Sequence, residues 1–192
     1  ADGSLTLAAT IEVPRRIPDL PRVGLRLALP AGFERLTWYG HGPHESYRDR
    51  QAGVDLARYE STVQAQYVPY VVPQEHGNHT AVRWLALADA DTQLVIAARK
   101  AIEAAASHYR AEDLERCLHT DDLQADERTW ITCDAAQRGL GTASCGPDTR
   151  APYRVGPGRH DLELRFTPAP ADADPAVLAR APWLRFEWAL RP

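Results

Sequence analysis

Methionine is absent from this 192-residue sequence, and asparagine occurs once, as Asn78. A translated chain starts from methionine, so Ala1 is not a start site left in place. The absence implies loss of an initiator, leader or tag, or excision of this stretch from a longer protein. Long apolar runs are also missing: no window approaches the ~18 residues of a membrane helix. The opening Ala1-Asp2-Gly3-Ser4 has neither the charged nor the apolar region of a secretory leader. The formal net charge is −4, from 26 acidic and 22 basic residues with the signs interspersed. No basic stripe exists to grip nucleic acid, so neither nucleic acid nor membrane is an expected partner. Cysteine is scarce: Cys117, Cys133 and Cys145 are spaced by 16 and 12, with no CxxC pair. A zinc ribbon or a disulfide scaffold is therefore not expected. The three read as reduced thiols, buried or loop-borne, which is compatible with a reducing cytoplasm.

What is present is an ordinary globular composition, 44% hydrophobic and 25% charged, enough for one core and read as a single domain over residues 1–192. Leu5, Leu7, Ala9, Ile11 and Val13 alternate with more polar residues, the period of a half-buried strand. Asp2-Gly3 before it is a hairpin-type turn signal and suggests a preceding strand that this chain lacks. A second alternation runs through Val23, Leu25, Leu27 and Leu29. Leu36-Thr37-Trp38-Tyr39 predicts a short strand that enters a long polar loop from Gly40 to Arg50. Residues Tyr59–Tyr67, Ala81–Ala88, Leu94–Ala98 and Trp130–Asp134 continue the run of short segments, as do Leu162-Leu164-Phe166. Leu184, Phe186, Trp188 and Leu190 predict a closing strand. Turn signals every ten residues or so make this an all-β signature. One helix is expected over residues 111–118, with acids early and Arg116 late, as the helix dipole favours. Pro168–Pro175 reads as an exposed loop.

The polar loops hold the candidate chemistry. His41 with His44, and His76 with His79, have HxxH spacing, but neither loop supplies the further ligands of a tetrahedral site, so no metal is expected. Gly139-Leu140-Gly141 lacks the third glycine and following helix of a dinucleotide loop. Ser144 beside Cys145 has no identifiable activating base. Glu45, Asp49 and Glu75 are loop carboxylates. A glycosidase needs two carboxyl groups flanking the scissile bond, and nothing in the spacing fixes such a distance; pairing with Arg48, Arg50 or Arg83 is the alternative.

Taken in order, three motifs resemble a family. Trp38-Tyr39-Gly40-His41-Gly42-Pro43-His44-Glu45-Ser46-Tyr47-Arg48-Asp49-Arg50 is similar to a segment of the large bacterial β-galactosidases of glycoside hydrolase family 2. Tyr67-Val68-Pro69-Tyr70, Pro73-Gln74-Glu75-His76-Gly77-Asn78 and Val82-Arg83-Trp84 resemble a second segment. Gln137, Gly139-Leu140-Gly141 and Ser144-Cys145-Gly146-Pro147 resemble a third. The resemblance covers roughly Pro21 to Phe166 and identifies the chain as part of the C-terminal, small-chain domain of that family.

The resemblance implies an antiparallel β-supersandwich of galactose mutarotase type, incomplete on its N-terminal side. The intact protein would be a retaining β-galactosidase acting on terminal β-D-galactosides. No catalytic carboxylate is expected here: the family's acid/base follows an asparagine, and Asn78 is followed by His79. The fragment alone should be inactive and without cofactor, a divalent metal and a monovalent cation belonging to the absent catalytic domain. The loop Gly139–Pro147 should form a wall of the active site, with Ser144 and Cys145 toward substrate. Cys145 falls where some members have tryptophan, so strong sugar stacking is not expected from it. His44, Glu45, Tyr47, Asp49, Arg50 and Glu75 are expected to form a structural hydrogen-bonded loop network. The expected partners are the remaining β-galactosidase domains and, through them, a galactoside; a homo-oligomer is compatible. The cytoplasm is the expected compartment, with the periplasm as the alternative. Competing readings are a standalone carbohydrate-binding module and an aldose epimerase using His44 and Glu75.

Overall fold

The computed structural model describes residues 3–141 and 146–183. Among them are eight strands: β1 (Leu5–Val13), β2 (Arg22–Leu29), β3 (Arg35–Gly42), β4 (Asp55–Thr62), β5 (His79–Ala88), β6 (Thr92–Ser107), β7 (Thr129–Gln137) and β8 (Gly158–Pro170). All pairings are antiparallel. Two short helices, α1 (Ala111–Arg116) and α2 (Pro175–Arg180), accompany them. The all-β class expected from the turn spacing, and the antiparallel arrangement implied by the resemblance, are the ones found. None of the described helices is long and apolar enough to cross a membrane.

β6 organises the sheet. Its first part, through Ala98, pairs with β8, and its last part, from Glu103, pairs with β7, which in turn carries β2. The main path runs β1-β8-β6-β5-β3-β4. Arg99, Lys100 and Ala101 lie where β6 changes neighbour, and they are exposed. Because β8 and β7 leave β6 at different places, two layers face each other as a sandwich. Leu162 and Leu164 of β8 and Ile131 and Cys133 of β7 join one buried cluster, which also takes in Leu36, Trp38, Leu85, Leu87 and Ile96. Leu25, Leu27 and Leu29 of β2 pack against it, as their period-two spacing requires. Ile131 is fully buried. Ile131→Val should destabilise the domain by about 1 kcal/mol, lowering the urea midpoint with an unchanged slope.

Several expected boundaries moved. β3 continues through Gly40, His41 and Gly42, which read as loop. A Cβ at Gly40 would lie 2.9 Å from the Val82 Cα, so glycine there allows the close approach of β5 rather than ending the strand. β6 is 16 residues long, where sequence showed Leu94–Ala98; the exposed Arg99-Lys100-Ala101 stretch hid its continuation. The segment expected to run to Tyr67 stops at Thr62 and turns into a short 3-10 helix over Gln64–Gln66. The helix expected over 111–118 ends at Arg116. In Pro168–Pro175 the strand persists to Pro170, and α2 begins at Pro175. The side chain of Asp174 caps α2 by accepting from Ala176 N–H at 3.0 Å, with Pro175 in its favoured first position. The buried Arg165 guanidinium donates to the carbonyls of Leu178 and Ala179 at 2.7 and 3.1 Å, a cation at the helix C-terminus. The expected closing strand over 184–190 and Asp2 of the expected turn lie outside the described residues.

Candidate functional site

Three stretches distant in sequence come together: residues 43–54 after β3, 67–78 before β5, and 137–141 with 146–150 after the end of β7. Glu45 joins the first two. One of its carboxylate oxygens accepts from the Arg50 guanidinium and the Tyr70 hydroxyl. The other accepts from Gly77 N–H at 2.8 Å. Arg50 also donates to the Tyr70 oxygen at 3.0 Å and stacks over Tyr47, 5.2 Å from the ring centroid. The backbones of Tyr47 and Arg50 exchange hydrogen bonds at 3.1 and 2.8 Å, closing a tight turn. Tyr47 is completely buried. Burial pushes its phenol pKa well up, and the negative charges of Glu75 and Glu45 add to this.

The contacts continue inward. Ser46 N–H donates to the Asn78 carbonyl at 2.7 Å, and Asn78 Nδ2 donates back to the Ser46 carbonyl at 2.8 Å. Asn78 also reaches Glu103 at 3.3 Å. Glu103, itself buried, accepts from Arg48 Nε at 2.7 Å and from Gln137 N–H at 3.3 Å. Gln137 Nε2 donates to Glu75 at 3.0 Å, and Arg22 donates to the other Glu75 oxygen at 2.6 Å. Arg22 lies 3.4 Å from Asp134. A chain of charge-assisted hydrogen bonds, stronger than neutral ones, thus connects all three stretches.

Asp49 faces the third stretch. Its carboxylate accepts from Leu140 N–H at 3.2 Å and Gly141 N–H at 2.7 Å. A Cβ at Gly139 would stand 2.6 Å from the Asp49 Cγ, and Gly141 has φ +64°, so both glycines serve this contact. The returning stem is held from the other side: Thr149 Oγ1 donates to the Gly139 carbonyl at 2.9 Å and accepts from Arg138 at 2.7 Å. Arg138 also binds Asp19 at 2.8 Å and Asp148 at 2.7 Å. Ser144 and Cys145, the residues expected to face substrate, lie outside the described residues.

The remaining expected residues are divided. His44 is exposed and makes no hydrogen bond among the described residues; it borders an open depression of about 660 Å³ with Asp49 and Tyr153. Glu75 borders a separate cleft. The acid–base pair weighed for an epimerase therefore faces two different concavities. The other three HxxH histidines engage oxygen partners. His41 Nδ1 meets Thr80 Oγ1 at 2.8 Å, and His76 Nδ1 meets the Gln74 carbonyl at 2.9 Å. His79 contacts the His41 carbonyl and the Gln66 side chain, and burial lowers its pKa to about 4. Among the described residues no three His, Cys, Asp or Glu side chains are grouped to hold a metal ion. Sequence reasoning overlooked Arg22, Glu103 and Asp134. A signal existed: Glu103 and Asp134 are single acids within otherwise apolar or small runs, and a charge carried into a core needs a partner.

A family model described as "Beta galactosidase small chain" matches residues 1–167. The chain belongs to the β-galactosidase small-chain family. The match takes in all three converging stretches. Similar proteins include one named Beta-galactosidase from Staphylococcus xylosus, 32% identical over 165 residues, which is 86% of this chain and 16% of that protein. One of the same name from Streptococcus thermophilus is 36% identical over 149 residues, 77% of this chain and 14% of its own length. Another, from Priestia megaterium, is 34% identical over 141 residues, 73% of this chain and 14% of that protein. The small-chain sequence thus spans about one-seventh to one-sixth of these curated relatives.

Proposed function

We propose that this small-chain domain is the C-terminal part of a retaining β-galactosidase, contributing one wall of its active site and no catalytic carboxylate. The carrying observation is the grip of Asp49 on Leu140 and Gly141. It fixes the stem from which the loop containing Ser144 and Cys145 departs, and a positioned loop lowers the cost of orienting substrate. The loop carboxylates support the second half of the reading. Glu45 accepts three hydrogen bonds and Glu75 two, so their lone pairs serve structure rather than a nucleophile and acid pair. The reacting carboxylates, ~5 Å apart in a retaining enzyme, belong to other domains of the protein, which are its first partners. The divalent metal and monovalent cation implied by the family are assigned in this reading to the catalytic domain. The unpaired thiols of Cys117 and Cys133 support a cytoplasmic site of action.

The test is turnover of a chromogenic β-galactoside by the intact protein. We expect the intact protein to be active and this chain alone to be inactive. Asp49→Asn should lower kcat/KM about tenfold, equivalent to ~1.4 kcal/mol of transition-state stabilisation, with little change in Tm. An inactive but well-folded intact protein, or an unchanged kcat/KM in the variant, would reject the respective part of the reading.

A further inference from the structure

The outer face of β2, β7 and β6 carries a concavity separate from the Gly139–Gly141 stem. Register stacks its side chains in rows across the three strands. Gly24 stands beside Asp134, and Arg26, Thr132 and Ala105 form the next row. Gly24 and Ala105 supply little bulk, and a cleft of about 230 Å³ opens there, bordered by Leu114 of α1 and by Arg22, Glu75 and His76. Position 24 must be glycine for this arrangement: a Cβ would meet Asp134 Oδ1 at 2.1 Å.

Three buried polar atoms on this cleft have no hydrogen-bond partner: His76 Nε2, Thr132 Oγ1 and Asp134 Oδ2, the last held only by the 3.4 Å ion pair with Arg22. The Asp134 side chain is 1% exposed and His76 is 5% exposed. Native structures leave few such groups unmet, and each needs a reason. His76 Nδ1 donates to the Gln74 carbonyl, so in the neutral ring Nε2 is an acceptor. Asp134 adds acceptors, Arg22 adds donors, and the Thr132 hydroxyl serves as either. The strongest charges are already matched, Arg22 by Glu75 at 2.6 Å and Arg26 by Glu112 at 2.8 Å, so the cleft has no excess field to attract an ion. A ligand suited to it is uncharged, with several hydroxyls that each donate and accept and with a C–H face for Leu114 and the Trp130 ring. The volume is below the ~300–1,000 Å³ of drug-sized sites, which admits a single ring. We propose that this cleft binds one monosaccharide ring, independently of the wall loop and of catalysis.

Hydrogen–deuterium exchange of the intact protein, with and without millimolar galactose or glucose, tests this peptide by peptide. Sugar bound elsewhere in the protein protects other peptides and is thereby distinguished. In the wild type, exchange should slow in peptides covering 22–26 and 130–134. Ala105→Leu fills the cleft without touching a charge and should abolish that protection. Thr132→Val keeps the shape, removes one hydroxyl and should weaken the apparent affinity about 3- to 10-fold, the range of one lost hydrogen bond. Absence of protection in the wild type would overturn the proposal, as would undiminished protection in Ala105→Leu. If that variant does not fold, an unchanged affinity in Thr132→Val would overturn it instead.

Discussion

Replacing Glu45 by alanine is expected to lower the stability of the small-chain domain by about 2–3 kcal/mol, the range for losing hydrogen bonds to a charged acceptor. The Glu45 side chain is 11% exposed and is the common acceptor for Arg50, Tyr70 and Gly77 N–H. Without it, the Gly77 N–H has lost its acceptor in a partly buried setting. Arg50, 43% exposed at its side chain, can recover some hydration, so the loss should not exceed that range. Glu45→Gln preserves shape and a neutral acceptor, and its cost should be nearer 1–2 kcal/mol. Denaturant unfolding of both variants measures the difference. In the intact protein, Glu45→Ala should also reduce turnover more than Asp49→Asn, because it leaves residues 43–54 held to 67–78 mainly by the Ser46–Asn78 pair. A loss below about 1 kcal/mol would mean that these stretches hold together without the carboxylate.

Asp134→Asn is expected to act in the opposite direction, stabilising the domain by about 2–4 kcal/mol at pH 8 and much less at pH 5. Burial raises the Asp134 carboxyl from 3.8 to about 7. Arg22 opposes the shift, and the negative charges of Glu75 and Glu103 add to it. Between about pH 4 and pH 7 the folded chain retains a proton that the unfolded chain has released. The contribution of this group to stability is therefore complete below the unfolded value and is lost as pH rises through the folded one. Asparagine cannot ionise, so the variant should lack this part of the pH slope. Arg22 keeps Glu75 at 2.6 Å in either case, which limits the cost of removing its second acid. Unfolding curves at pH 5 and pH 8 decide the matter: parallel pH dependence in the two proteins would show that Asp134 is ionised throughout.

Legibility differed by residue type. Leu5–Val13 emerged with both ends correct because one face of β1 is apolar and the other polar, and period two needs no partner to be seen. β6 was cut to a third of its length because its middle, Arg99 to Ala101, has no apolar face where the strand changes neighbours. Gly40 and Gly42 signal a loop by composition, yet they sit in β3 where Val82 and the Tyr59 ring approach too closely for a side chain. Glu45, Tyr47, Asp49 and Arg50 were recognisable as one polar motif. The motif did not reveal that Asp49 turns toward Leu140 and Gly141, nor that His44 turns outward.

The sequence by itself determined the all-β class and the family, because each is written in local spacing or in a short motif. Only the tertiary structure decided which motifs meet. The Asp49 contact to Gly141 spans 92 positions and the Arg22 contact to Glu75 spans 53, and local propensity carries no information over such separations. It also created the cleft beside Asp134. That concavity depends on Gly24, Thr132 and Ala105 coming into register across three strands, and register is set by burying the opposite, apolar face of those strands.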